Sequence, residues 1–362
     1  MSLETSITRA WQKKAKWLYL FLPLSWLYSA VSSIRRMFYK QGVLSSYRAP
    51  VPVMVIGNIT VGGSGKTPLI ISLVKHLQRR GITVGVISRG YGGDSKQMPA
   101  IVTLDSTPNV VGDEPCLIVQ STLFYGKKRD ARPVDMAVCP NRQQAIELLL
   151  KHNPDIEFII ADDGLQHYKL QRDIEWIVVD SHRGFGNEKV LPVGFLREPL
   201  NRLDGATIIY HQTEQSDDEQ PLTMRLKPAQ LEPLLTGLTD YQKPQDEDTV
   251  IAISGIGYPT RFFNTLKALG FSTIECPYPD HHDFTFDDLL QFIEQPYPII
   301  TTSKDAVKLW QLADKDLKGF SDAEVDQLAK LFTRIWVLPV SAELSLACYD
   351  ALDKELKAHN IL

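Results

Sequence analysis

Residues 57–67 read GNITVGGSGKT and are followed by Pro68. Glycines at 62, 63 and 65 let backbone N–H groups turn inward around phosphate oxygens, and a helix opening just after them adds its partial positive charge. Lys66 has the reach to meet β- and γ-phosphates, and the Thr67 hydroxyl suits a magnesium ion. The candidate nucleotide contacts are therefore Thr60, Val61, Gly62, Gly63, Ser64, Gly65, Lys66 and Thr67, with ATP and Mg²⁺ as the expected ligands. Thr60 stands where the G-x-x-x-x-G-K-[ST] pattern has its first glycine. Such a loop needs a carboxylate at the end of a neighbouring strand to hold the metal. The apolar run FIIADDG at 158–164 supplies Asp162 and Asp163, which with Thr67 form the candidate metal set. In extended chain the two carboxylates point to opposite sides, and spacing does not say which is nearer the metal.

Three further segments carry chemistry-bearing side chains. Arg89 opens RGYGG at 89–93, and Asp113 lies in GDEP at 112–115, where an ordinary helix N-cap is an equally good reading of the residue type. Residues 280–283 read DHHD, but four adjacent side chains cannot all face one ion, and no third cluster has ligand spacing.

The elements that must position these groups follow from the hydrophobic pattern. Residues 51–56 (VPVMVI) form a short β-rich run, and after the loop Leu69, Ile70, Leu73, Val74 and Leu77 recur at helical spacing. Pro68 falls in the first turn, where a missing N–H costs nothing, and Gly81 ends the helix. With a second strand at 82–88 this predicts a right-handed βαβ unit. Polar stretches at 212–220 and 240–248 suggest an interdomain connection, and from 249 a new strand–helix alternation begins without a phosphate loop of its own. The predicted organisation is an N-terminal membrane-associated segment (1–48), a P-loop nucleotide-binding domain (49–211), a connection (212–248) and a smaller C-terminal α/β domain (249–362). The fold class is α/β, a P-loop NTPase-type doubly wound parallel sheet with a second, smaller α/β domain and an N-terminal membrane-associated helix.

At 362 residues and 44% apolar composition the chain is long enough for two ordinary cores. The four cysteines, Cys116, Cys139, Cys276 and Cys348, form no Cys-x-x-Cys pair, which argues against a zinc ribbon or a secreted disulfide scaffold. The net charge of −4 hides an asymmetry: residues 1–50 hold eight Lys or Arg against one acid, so the rest of the chain carries the negative balance. A nucleic-acid partner is therefore not expected, because a binder of that kind spreads basic charge over its folded body. The basic segment also contains the one long apolar run, 17–31, rich in Trp and Tyr and interrupted by Pro23, Ser25 and Ser29. At 15 residues it is short for a span, and a helix lying in or dipping into the inner leaflet is expected, with the inner-membrane surface as a partner.

Taken in order, GNITVGGSGKTP, SRGYGG, GDEP, ADDGLQH, LPVGFLREP, GIGYPTRFF, DHH and TTSKDAVKL cover most of the chain, and together they resemble the tetraacyldisaccharide 4'-kinases of lipid A biosynthesis. Val193 and Phe195 stand where that family more usually has Ala and Pro. The resemblance implies transfer of the ATP γ-phosphate to the 4'-hydroxyl of a tetraacyl glucosamine disaccharide 1-phosphate at the cytoplasmic face of the bacterial inner membrane. It also implies catalytic roles for Asp113 as general base, His281 as its partner from the second domain, and Lys66 on the phosphates. Arg89 and Arg197 are expected to meet the acceptor's 1-phosphate or the nucleotide. The competing class is a membrane-associated P-loop ATPase switch acting on a protein partner, which uses the same loop but no acceptor lipid.

Overall fold

The computed structural model describes residues 7, 10, 11, 13–125, 131–212, 221–235, 243–313 and 321–362. Its larger sheet contains β1 (Val53–Gly57), β2 (Val84–Ser88) and β3 (Ala100–Val102), while β4 (Phe124–Tyr125) and β5 (Ala131–Arg132) form a separate hairpin. The sheet continues with β6 (Asp135–Val138), β7 (Phe158–Asp162), β8 (Ile174–Asp180), β9 (Thr207–Gln212) and β10 (Thr223–Pro228). The smaller sheet is built from β11 (Glu232–Pro233), β12 (Thr249–Ser254), β13 (Ser272–Pro277), β14 (Ile299–Thr302) and β15 (Ile335–Leu338), after which β16 (Val340–Leu344) returns to the larger one.

Strand order in the larger sheet is β16-β10-β9-β8-β1-β7-β2-β6-β3. It is mixed rather than wholly parallel: β3 runs antiparallel to β6 and β16 antiparallel to β10, one at each edge. The βαβ unit expected from 51–88 is present, but β7 lies between β1 and β2. That insertion matters for chemistry, because it pairs Ile56 with Asp162 and so sets the carboxylate beside the start of the phosphate loop.

Side-chain alternation along β1 explains the layering. Met54 and Ile56 face a core with Leu69, Leu73 and Leu77 of the helix at Lys66–Arg79, while Val53 and Val55 face Ala145, Ile146 and Leu149 of a helix at Arg142–His152. The smaller sheet is covered on both faces too, with Ile251 and Ile253 against Leu309 and Leu312, and Val250 and Ala252 against Phe262, Phe263 and Leu266.

Two chain crossings join the layers. One runs from β10 to β11, and the other from β15 to β16 through Pro339; the Ala229 N–H donates to the Pro339 carbonyl at 2.9 Å and ties them together. The stretch 212–248 therefore contributes one strand to each sheet, with 213–220 and 236–242 lying outside the described residues. Residues 340–358 return to the first layer, where Cys348, Leu352 and Leu356 join the larger core.

The N-terminal helical segment is longer than the apolar run suggested. A 3₁₀ turn at Lys16–Phe21 leads into α1 (Leu22–Lys40), a continuous stretch of 25 residues, and the helix at Lys66–Arg79 that follows the phosphate loop is α2. Pro23 does not break α1 because it sits in the first turn, where no intrahelical N–H bond is lost. By length and composition this helical segment is able to cross a bilayer. Its patterning is inverted relative to a soluble helix: Ser25, Tyr28, Ser32 and Arg36 turn toward the protein, whereas Leu24, Trp26, Leu27, Val31 and Ile34 are exposed. Ser25 is 2% exposed and donates to the Val190 carbonyl at 2.6 Å.

Candidate active site

The phosphate loop connects β1 to α2, with Gly62 and Gly65 at φ of 93° and 92°. A Cβ at Gly65 would lie 2.9 Å from His211 Nδ1 and 2.6 Å from Met224 Cε, so no other residue fits there without displacing the wall behind it. Asn58, fully buried, points its amide Nδ2 at the Gly62 carbonyl (3.3 Å), the Thr60 hydroxyl (3.3 Å) and the Ser64 hydroxyl (3.2 Å). Arg183 donates to the Val61 carbonyl at 3.0 Å, and His211 Nδ1 lies 3.0 Å from the Ser64 carbonyl. Burial first, then the nearby Arg261 guanidinium, press the His211 pKa down to about 4, so the ring is neutral. Residues 191–199 run alongside: Val61 N–H donates to the Phe195 carbonyl, Arg197 N–H to the Ile59 carbonyl, and Thr60 bridges to Leu196. These contacts hold the loop's donors in place through groups behind it, and Lys66 and Thr67 open α2.

The two candidate metal carboxylates have different surroundings. Asp162 is 1% exposed; its Oδ2 accepts from the Ser88 hydroxyl at 3.3 Å, and its Oδ1 has no hydrogen-bond partner among the described residues. Burial, with Glu114 and Asp163 adding to it, raises its pKa to about 7 against the pull of Lys66 and Arg142. Asp163, at φ 46°, turns the other way and pairs with Lys66 (3.3 Å) and Arg197 (3.0 Å). Burial would raise its pKa, but those two cations hold it below the ordinary carboxylate range. An orphaned buried carboxylate oxygen beside a phosphate loop suits a hard cation that takes one protein carboxylate and completes its shell with phosphate and water.

A third group assembles across the two layers. Asp113 is the first residue of a helix (Asp113–Ser121), with Gly112 in the capping position. One carboxylate oxygen accepts from the Glu114 N–H at 2.8 Å, yet the side chain also reaches out of its own domain. The Nδ1–H of His281, at φ 58°, donates to Asp113 Oδ2 at 2.9 Å, and Lys308 Nζ stands 3.2 Å from the same oxygen. Lys304 Nζ lies 3.3 Å from His281 Nε2 and 3.1 Å from Glu114. Both His281 contacts are satisfied together only when Nδ1 carries the proton and Nε2 accepts. Burial alone would raise the Asp113 pKa; the His281 hydrogen bond and the Lys304 and Lys308 ammonium groups outweigh it and hold the carboxylate below its ordinary range.

The phosphate loop meets this group through the second layer. A Cβ at Gly257 would sit 2.8 Å from Asp280 Oδ2 and 3.5 Å from the Gly63 nitrogen, so residues 255–257 and 280–281 close against the loop. Tyr91 completes the corner, its ring 4.9 Å from that of His281. The other histidine of the DHHD run points away, His282 Nε2 lying 2.9 Å from Asp288. Arg89 is exposed, and Arg197 is occupied by Asp163.

The structure therefore brings Lys66, Thr67, Asp162, Asp163, Asp113 and His281 into one region. Sequence reasoning did not assign Asn58, Arg183, His211, Lys304 or Lys308. Asn58 adjoins the loop and was open to suspicion on that ground. The other four lie far along the chain from Lys66 and Thr67 and share no pattern with them, so only the tertiary contacts reveal them.

The family described as LpxK, tetraacyldisaccharide-1-P 4'-kinase, matches residues 17–357. A curated tetraacyldisaccharide 4'-kinase of Psychrobacter cryohalolentis is 56% identical over 379 residues, covering 100% of this chain and 98% of the relative. One from Pasteurella multocida is 42% identical over 356 residues, covering 95% and 98% respectively. Among solved structures, the "apo" form of LpxK from Aquifex aeolicus in complex with ATP superposes with a TM-score of 0.67 at 26% identity, covering 94% of this chain and 99% of that one.

Proposed function

The chain belongs to the tetraacyldisaccharide 4'-kinase family of lipid A biosynthesis, and from that premise we propose how its own residues carry the transfer. The observation that supports the assignment most is the Asp113 carboxylate, 3% exposed and held by His281 at 2.9 Å from the opposite layer, at the corner where the second layer closes on the phosphate loop.

The loop amides and Lys66 bind the ATP phosphates and offset charge as it gathers on them during transfer. Thr67 and Asp162 would hold Mg²⁺, Asp162 being the better placed of the two acids because its Oδ1 is orphaned among the described residues while Asp163 is taken up by Lys66 and Arg197. A divalent cation held there would supply positive charge to offset that of the phosphate oxygens. Asp163 orients Lys66, and Arg197 orients Asp163.

The acceptor's 4'-hydroxyl oxygen forms its bond to the γ-phosphorus as the bond to the β–γ bridging oxygen breaks, and the hydroxyl proton passes to Asp113. A carboxylate of low basicity serves here, because phosphoryl transfer is loose and the proton need leave only late. Orientation then counts for more than proton affinity, and His281 and Lys308 supply it from the second layer.

The acceptor carries four acyl chains, so the enzyme must work at the membrane. The inverted patterning of α1, polar toward the protein and apolar outward, supports a helix embedded at the bilayer, with the kinase facing the cytoplasm where ATP is found.

The test is γ-labelled ATP with Mg²⁺ and detergent-dispersed tetraacyl disaccharide 1-phosphate. Label recovered in a bis-phosphorylated lipid, and lost in Lys66→Ala, is the expected result. Free labelled phosphate whose release ignores the lipid would instead indicate an ATPase.

A further inference from the structure

Where α1 ends, a cavity of about 740 Å³ opens between its last turns and the protein body. Five of its lining side chains are cationic (Arg36, Lys40, Arg48, Arg172 and Arg202) and two are acidic, Glu175 and Asp204. The cations divide into two groups. Arg172 is committed to the fold, donating to the Leu165 carbonyl at 2.8 Å, the His167 carbonyl at 2.9 Å and Glu175 at 3.1 Å. Arg202 is likewise bound to Glu175 and Glu198. Arg36 and Lys40 have no hydrogen bond or ion pair to any described residue, and Arg48 uses one guanidinium nitrogen on Asp173 at 2.8 Å, its side chain 66% exposed.

This arrangement is not what the fold requires for itself. Arg36 lies on the face of α1 that turns toward the protein, where a core helix would place an apolar residue, and it looks into a chamber that also holds Ser33, Gln171 and Asn201 as neutral hydrogen-bonding groups. Two cations unpaired among the described residues and one half-free guanidinium around such a chamber match a phosphate, whose oxygens accept from planar guanidinium forks and from an ammonium. Lys40 also offsets the negative end of the helix, which on its own would repel an anion.

The apolar helix face beside the cavity points to the source of the phosphate. Met37 lines the cavity, and Ile34, Met37 and Phe38, all exposed, continue the outward apolar face of α1 to its last turn. A ligand whose phosphate sat among Arg36, Lys40 and Arg48 would have apolar surface beside it along which acyl chains could lie, which a free anion does not need. We propose that this cavity holds the phosphate of an anionic phospholipid headgroup of the bilayer, anchoring the end of α1 at a fixed height. The proposal rests on the membrane apposition of α1 given above, and on no residue of the phosphate loop or of the Asp113 corner.

Calorimetric titration of the full chain in a neutral detergent with dihexanoyl phosphatidylglycerol tests it. Saturable binding at one site is expected, weakened about tenfold or more in Arg36→Gln/Lys40→Gln. Lys13→Gln/Lys14→Gln removes the same charge from exposed positions outside the cavity and is expected to bind as the wild type does. Equal weakening in both double variants, or no saturation in the wild type, would mean diffuse attraction to a charged surface and would overturn the proposal. Inorganic phosphate binding as tightly as the lipid would overturn the choice of ligand. Displacement of the lipid by the tetraacyl acceptor would give the cavity to the acceptor instead. Turnover of Arg36→Gln/Lys40→Gln on detergent-dispersed acceptor is expected to stay near wild type, so a failure of the lipid site is distinguishable from a failure of the kinase assignment, which shows in the labelled-ATP assay.

Discussion

The phosphate loop and the Asp113 corner, the two halves of the proposed reaction, are built on opposite plans. The loop is a single stretch of chain whose carbonyls and glycines are braced from behind by Asn58, Arg183 and His211, all within the larger layer. The corner takes Asp113 from that layer and His281, Lys304 and Lys308 from the smaller one, and its contacts exist only while the two are together. In the proposed reaction phosphate binding is thus preorganised, whereas proton acceptance by Asp113 depends on the two layers staying together. Such a division leaves the enzyme able to bind ATP without committing it to water.

The two plans predict different costs for substitutions in each half. Lys66→Ala strikes the preorganised half and is expected to lower turnover by about a thousandfold, with the thermal melt little changed. Asp113→Asn is expected to cost about a hundredfold or more in kcat while ATP affinity, measured by nucleotide titration, stays near wild type. Loss of ATP affinity equal to that of Lys66→Ala would merge the two halves. Lys308→Met removes the cation 3.2 Å from Asp113, so the carboxylate pKa rises toward its ordinary range. The acid limb of the kcat profile is then expected to move to higher pH, with kcat at neutral pH reduced by less than about tenfold.

Gly257→Ala places a methyl group 2.8 Å from Asp280 Oδ2 and 3.5 Å from the Gly63 nitrogen. It is expected to reduce kcat several-fold through poorer closure, with ATP binding to the larger layer preserved. The smallest effect belongs to Ser25→Ala, which removes a buried hydrogen bond from α1 to the Val190 carbonyl. A loss of about 1 kcal/mol of stability is expected in chemical denaturation, without change in turnover on dispersed acceptor.

The same contrast explains what was legible in the sequence. The loop could be read because its function needs contiguous residues of fixed type: Gly62, Gly65, Lys66 and Thr67 fall within six positions, and the strand before and helix after them carry their own periodicities. Asp162 was legible as a strand-end acid, but the difference between its surroundings and those of Asp163 depends on which way the backbone turns, and the φ of 46° at Asp163 has no sequence signature. Asp113 and His281 came from the family resemblance, since 168 residues separate them and spacing carries no information at that distance. Lys304 and Lys308 occupy one helical face four residues apart, a pattern that a solvated surface helix shows equally well. The antiparallel edge strands escaped for a similar reason: β16 pairs with β10 across more than a hundred residues, and its alternation does not encode a partner or a direction.

In the proposed mechanism Asp113 and His281 act as one unit across the junction of the two layers, and a double-mutant cycle separates this from independent action. The initial rate of label transfer to the acceptor lipid would be measured for Asp113→Asn, His281→Asn and the double variant at saturating ATP. If the pair works as a unit, the double variant loses about as much as the worse single variant. Penalties that multiply would show two residues acting independently, and would contradict the assignment of His281 as the group that positions the base.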